Sequence, residues 1–221
     1  MKKVLFYLGY LVSFAVPLYF YYQSVGAYLD GYTASVLLGV SAFVLLCDQF
    51  ILASKPGFAV KALGARGLLA LHRTAPAALV LIVAAHFTLK KAAGFGTTSL
   101  RALLGIGAFT ILLVLAAFAA VIMANTVLSR IGFLAAFKKH FTEHTGMTYK
   151  KARDLHNAFV LVAYLVLIHA LLASTGDFGM NPIGVSWLIF WFVLSQGMYA
   201  RYRLTGRGGA EKKAPKEGGT K

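Results

Sequence analysis

Six apolar runs, each long enough to cross a bilayer, leave this chain few folds to choose from. They fall at about 4–22, 34–53, 67–89, 102–126, 155–173 and 184–202, and a spanning helix needs about 20 predominantly apolar residues. Inside lipid every backbone N–H and C=O must be satisfied within the segment, so runs of this length read as helices. Of the 221 residues, 59% are hydrophobic and 13% charged, which is more apolar surface than a soluble core of this size can hide. The expected fold class is all-α, a six-transmembrane-helix bundle over residues 1–204. A basic tail, 205–221, rich in Gly, Lys and Pro, has almost nothing to bury and is expected to be disordered. The first run follows Met1, Lys2 and Lys3, exceeds a typical signal region and meets no small-x-small cleavage site, so it reads as a retained helix.

Charge sets the expected topology. The net charge is +15, and a high pI usually suggests nucleic acid. Here the cations flank apolar spans instead, so the expected contact is membrane lipid and no nucleic acid. Lys2, Lys3, Lys55, Lys61, Arg66, Arg130, Lys138, Lys139, Lys150, Lys151, Arg153 and the seven of the C-terminal segment share one side. The other side receives only Lys90, Lys91 and Arg101, while Arg73 lies within the third run. The positive-inside rule then makes both termini cytoplasmic. The connection 129–152 repeats Ile131, Leu134, Phe137 and Phe141 at helical spacing beside Lys138 and Lys139, which reads as a short interfacial amphipathic helix. The single cysteine, Cys47, excludes an intrachain disulfide and any CxxC site.

Two runs carry chemistry. LHRTAPAALVLIVAAH places His72 and His86 fourteen residues apart, and LHNAFVLVAYLVLIH places His156 and His169 thirteen apart. At about 1.5 Å per residue these spacings span roughly 21 and 20 Å, inside a hydrocarbon core of about 30 Å. Each run therefore sets one imidazole near each side of the bilayer. The third and fifth runs both start in the cytoplasm, so His72 pairs with His156 at the inner level and His86 with His169 at the outer. An ionisable side chain in lipid is costly and faces a bundle interior, a cofactor or a water path. Two stacked bis-His haem sites are the favoured reading, since neutral imidazole is a good axial ligand. A proton relay, plain packing and another metal remain as alternatives. Zinc fits poorly, because two ligands per level leave a tetrahedral site half empty.

The fifth run poses a geometric difficulty. At about 100° per residue, fourteen residues fall about 40° short of four turns, whereas thirteen fall about 140° short. His156 and His169 cannot share a face of a straight ideal helix, which predicts a π-bulge, a bend or a strong tilt between them. Pro76 removes the hydrogen bond to the His72 carbonyl and is expected to disturb the third run.

This pattern of His-x13-His and His-x12-His on the third and fifth of six spans resembles the ferric reductase-like transmembrane domain. That domain is shared by NADPH oxidases, ferric-chelate reductases and the haem subunit of a bacterial periplasmic methionine sulfoxide reductase. The resemblance covers about residues 34–202. It implies two haem b groups moving electrons from the cytoplasm to an external electron acceptor, with His72, His86, His156 and His169 as iron ligands. The expected location is the inner (cytoplasmic) membrane of a bacterium. In the oxidases and chelate reductases a flavin and nicotinamide domain follows the sixth span. Here 19 residues follow Tyr202, and GFGTTS at 94–99 sits in a loop rather than in a strand-turn-helix setting. The expected donor is therefore a soluble flavoprotein or quinol, with flavin or quinone supplied through a partner.

Supporting residues follow from depth. Asp48 and Arg73 lie at matching depths in the second and third runs, which suggests an intramembrane ion pair. Arg73 is equally placed to hold a propionate of the inner haem, as are Arg66 and Arg153. Lys90 and Lys91 are candidate neighbours of the outer haem. His140 and His144, four apart in KHFTEH, do not form HExxH and read as solvated residues. Gly105, Gly107 and Ala108 in the fourth run allow close helix approach. Three functions fit the sequence: an electron-transfer subunit needing a partner dehydrogenase, a quinol-linked haem subunit of a periplasmic reductase, and a haem-free transporter or assembly scaffold.

Overall fold

The computed structural model describes residues 2–123 and 131–205. The expectation of a disordered tail lies outside the described residues. Among the described residues there is no strand, and six helical stretches are long and apolar enough to cross a bilayer. They are α1 (Lys2–Ser24), α2 (Gly31–Ser54), α3 (Gly57–Ala92), α4 (Leu100–Phe118) with a π-helical turn at Ala119–Met123, α6 and α7 together (Tyr149–His156 and Phe159–Leu171), and α8 (Pro182–Thr205). Between the fourth and fifth spans lies α5 (Gly132–Thr145). It carries the Leu134, Phe137, Phe141 stripe and buries none of its residues, as an interfacial helix without its lipid would.

The bundle is built around α2. Fifteen of its 24 residues are buried, against three to five in each of α1, α3, α4 and α8, so α2 is the central element. It packs on α1, α3, α7 and α8, and α4 packs on α7. The main core joins Phe43, Val44, Leu46 and Cys47 of α2 to Leu79, Leu112, Val162, Leu188 and Phe192. Lipid tails are as apolar as these side chains, so tight packing and a few interhelical hydrogen bonds hold the helices rather than hydrophobic burial.

Local chemistry sets the ends. Asp30 caps α2 by accepting from the Thr33 N–H at 2.7 Å, leaving that terminus satisfied. Asn181 does the same for α8, accepting from the Gly184 N–H at 3.0 Å, with Pro182 in the first helical position. In α3 the helical backbone is interrupted at Gly64, whose φ of 70° is open to glycine at little cost. This splits a short surface turn from the spanning segment that carries both histidines. Pro76, expected to disturb that segment, does not: the helix continues through it, and Gly64 is the residue with non-helical dihedrals. A proline costs one i→i−4 bond, and helices in lipid tolerate it where their neighbours hold them.

The expected distortion of the fifth span is present. The helix breaks after His156, and Asn157 and Ala158 adopt φ/ψ near −64/−15 and −61/−13. The Ala158 N–H donates to the Leu155 carbonyl at 2.9 Å and the Val160 N–H to the Asn157 carbonyl at 3.0 Å, both three residues back. Three-residue bonds wind about 120° per residue rather than about 100°. The overwinding turns the chain forward and reduces the 140° shortfall, whereas a π-bulge would have increased it. The π-helical turn occurs instead at the end of the fourth span.

Candidate functional site

The four span histidines meet as two pairs. His72 and His156 have ring centroids 6.3 Å apart with planes crossed at 83°. His86 and His169 are 6.4 Å apart and crossed at 89°. The first pair lies toward the side where the chain starts and is called the near pair; the second is the far pair. The helices bearing them stand apart, since α3 packs on α2 and α4 and is not among the close neighbours of α6 or α7. The imidazoles thus face each other across a gap rather than across a helix–helix contact.

The size of the gap is chemically specific. Two imidazoles bound to one metal, with bonds of about 2.0–2.1 Å and about 1.1 Å from ring centre to nitrogen, would have centroids roughly 6.3 Å apart. A direct imidazole–imidazole hydrogen bond, with nitrogens about 2.9 Å apart, would bring the centroids to roughly 5 Å. Among the described residues no third His, Cys, Asp or Glu joins either pair to form a metal-binding group. Each level offers two nitrogen donors, which suits an ion whose other positions are filled by a planar macrocycle and leaves a tetrahedral ion under-coordinated.

The far pair is oriented by the backbone. His86 Nδ1 lies 2.6 Å from the Ser35 carbonyl oxygen of α2, and His169 Nδ1 lies 2.8 Å from the Arg101 carbonyl oxygen of α4. A carbonyl only accepts, so both Nδ1 atoms carry hydrogen and donate. Each Nε2 is then left with a free lone pair, the arrangement by which a second partner fixes the tautomer of a ligating histidine. The near pair is different: Nδ1 of His72 and Nδ1 of His156 are buried and have no hydrogen-bond partner. Beside His156 the overwound turn is tied to α8. The Tyr199 hydroxyl of α8 donates to Asn157 Oδ1 at 2.7 Å, and Arg203, one turn on, approaches Asp154 at 4.0 Å.

Around the far pair the helices enclose a cavity. Its walls include Leu46, Leu79, Leu112, Val162 and Leu188 toward the bundle centre, and Lys90, Lys91 and Arg101 toward the loop side. These are the three cations that the sequence leaves off the basic side, and all three line this one space. Lys90 Nζ sits 4.2 Å from the ring centres of both Tyr32 and Phe95, which stack 5.5 Å apart at 12°. Cations placed over aromatic faces are held electrostatically. The cavity is therefore apolar at depth and positive at its mouth, matching an apolar ring system with acidic substituents.

Other expected residues land elsewhere. Asp48 and Arg73 do not pair. Asp48 is 3% exposed, and its Oδ1 accepts from Trp191 Nε1 of α8 at 2.8 Å. Arg73 is exposed on α3. Depth read from residue counting cannot show in which direction a side chain leaves its helix, and Asp48 faces Trp191 while Arg73 is exposed. Arg66 and Arg153 are exposed as well. Trp187 and Trp191 stack in parallel, 5.8 Å apart, and both indoles point inward, Trp187 donating to the Ser13 carbonyl at 3.2 Å. His140 and His144 are exposed on α5 with rings stacked 4.9 Å apart, well separated in sequence and element from the span pairs. The Ser35 and Arg101 carbonyls and the tie from Tyr199 to Asn157 have no motif in the sequence. They are contacts between elements 42 to 68 residues apart.

No protein-family profile matches this chain, and neither a curated protein nor a solved structure resembles it at a significant level.

Proposed function

We propose that this protein carries electrons across a membrane through two b-type haems, from a cytoplasmic donor or quinol to an external acceptor. One observation supports this above the others: two imidazole pairs, at two depths, each with the centroid spacing of two axial ligands on one iron. When bound, the haems supply one-electron chemistry that no side chain of the chain provides.

The residues have distinct tasks in this reading. If haem were bound, His72 with His156 and His86 with His169 would be the side chains that hold its iron, and with two protein ligands at each level outer-sphere one-electron transfer would be favoured over binding of a small molecule at the metal. The carbonyls of Ser35 and Arg101 hold the far rings in the ligating tautomer. Leu46, Leu79, Leu112 and Val162 keep water from the space between the levels. Lys90, Lys91 and Arg101, which line the cavity, offset the carboxylates of the far macrocycle. The histidine spacing that resembles the ferric reductase-like transmembrane domain supports the same reading, with a flavoprotein or quinol as donor.

The deciding experiment is a reduced-minus-oxidised spectrum of the purified protein with haem stoichiometry. Two b-type haems per chain are expected, and a preparation that binds none when expressed with ample haem would sink the reading. Reduction by a quinol without any flavoprotein would identify the quinol as donor.

A further inference from the structure

The far histidines reach their carbonyl partners in the same way on two different helices. On α2, the ring of His86 bonds the carbonyl of Ser35 and lies against Gly39, four residues further along. On α4, the ring of His169 bonds the carbonyl of Arg101 and lies against Gly105, again four residues further along. In an α-helix the carbonyl of residue i points toward residue i+4, so a side chain at i+4 stands beside any ring that approaches that carbonyl from outside. A Cβ on Gly39 would lie 2.9 Å from His86 Cε1 and 3.0 Å from Nδ1. A Cβ on Gly105 would lie 2.7 Å from His169 Cε1 and 2.8 Å from Nδ1. Both are closer than carbon atoms tolerate without displacement.

The near pair lacks this device. At the near level Nδ1 of His72 and Nδ1 of His156 are buried without a hydrogen-bond partner, and among the described residues no glycine lies against either ring.

We propose that Gly39 and Gly105 are positioning residues for the far cofactor. By lacking a Cβ, each admits an imidazole to a helix carbonyl, and the resulting bond sets the tautomer and raises the basicity of the ligating nitrogen. The proposal rests on the haem reading for its effect on potential, but the tautomer is a property of the protein alone. A more basic ligand stabilises ferric iron. The far haem is thus biased toward the ferric state relative to a site without these bonds.

The test uses the full chain in nanodiscs with 15N-labelled histidine. In haem-free wild type, His86 and His169 are expected as the Nδ1–H tautomer. Gly39→Ala should shift the His86 resonances alone, and Gly105→Ala those of His169 alone. With haem bound, Gly105→Ala should move the far haem's equilibrium toward ferrous iron by about tenfold, 59 mV for one electron, with the near haem unmoved. Loss of the far haem alone would support the proposal equally. Unchanged resonances in both glycine variants, or equal shifts of both haems, would each overturn it. A protein that binds no haem would defeat the electron-transfer reading while leaving the resonance test to decide this one.

Discussion

The two imidazole pairs share a spacing but not a support. The far rings are held through their own nitrogens, by carbonyls of α2 and α4 at 2.6 and 2.8 Å. The near rings have no such bonds, and His156 depends on a backbone turn kept in place by α8. One centre is therefore stiff because its ligands are gripped, the other because the chain beside one ligand is. The difference teaches that equal ligand spacing in sequence does not imply equal sites. Two centres with the same ligand chemistry can differ in tautomer control and hence in affinity and potential.

The largest expected effect comes from the ligands themselves. Replacing His86 or His169 by Ala should lower haem content from two to one per chain and leave the near haem's spectrum intact, and His72→Ala should do the reverse. An unchanged stoichiometry in these variants would break the pairing. Next comes the tie at the break. Tyr199→Phe removes one interhelical hydrogen bond, a loss of about 1 kcal/mol. It should broaden or shift the near haem signal while the far one stays put; equal changes at both would show that the turn is not what steadies His156.

Trp191→Phe is the non-selective counterpart. It deprives the buried Asp48 side chain of the Trp191 Nε1 donor. A loss of about 1–3 kcal/mol is expected, read as earlier thermal unfolding with both haems released together. The smallest effect concerns Asp30, which lies outside the spans. The Thr33 N–H holds its carboxyl below the usual carboxylate range. A depressed folded pKa means stability present above the unfolded value, about 3.9, and lost as pH falls through the folded one. Asp30→Ala should therefore lower the unfolding temperature slightly at neutral pH, and the difference should vanish in acid. A difference that persists at low pH would mean the cap acts through something other than its charge.

Much of the architecture was legible in the sequence because it rests on run length. The six apolar runs at 4–22 through 184–202 correspond to six spanning helices, since lipid forces each run to be helical. The meeting of His72 with His156 and of His86 with His169 followed from depth alone, which residue counting provides. The broken fifth helix followed from arithmetic on thirteen residues, although its hand did not: a π-bulge and an overwound turn are both distortions, and only rotation toward four full turns tells them apart. Direction around a helix was the hard part. Asp48 and Arg73 were expected to pair on matching depth, yet Asp48 faces Trp191 and Arg73 is exposed. Gly105 reads as a small residue for helix packing, while its observed neighbour is the His169 ring. Contacts of this kind depend on how two helices are rotated against each other, and one amino-acid sequence carries no signal for that.

The tie between Tyr199 and Asn157 also orders events in time. A chain enters a membrane from its beginning, and α8 is the last span to arrive. The carbonyls, glycines and imidazoles of the far level all belong to α2, α3, α4 and α7, and α8 adds Leu188 to the cavity wall, so the far pair itself can form once the fifth span is in place. The near level must wait for the sixth. If both pairs hold haem, biogenesis would load the two levels in sequence, the far one first, and a chain stalled after its fifth span would hold a single competent site.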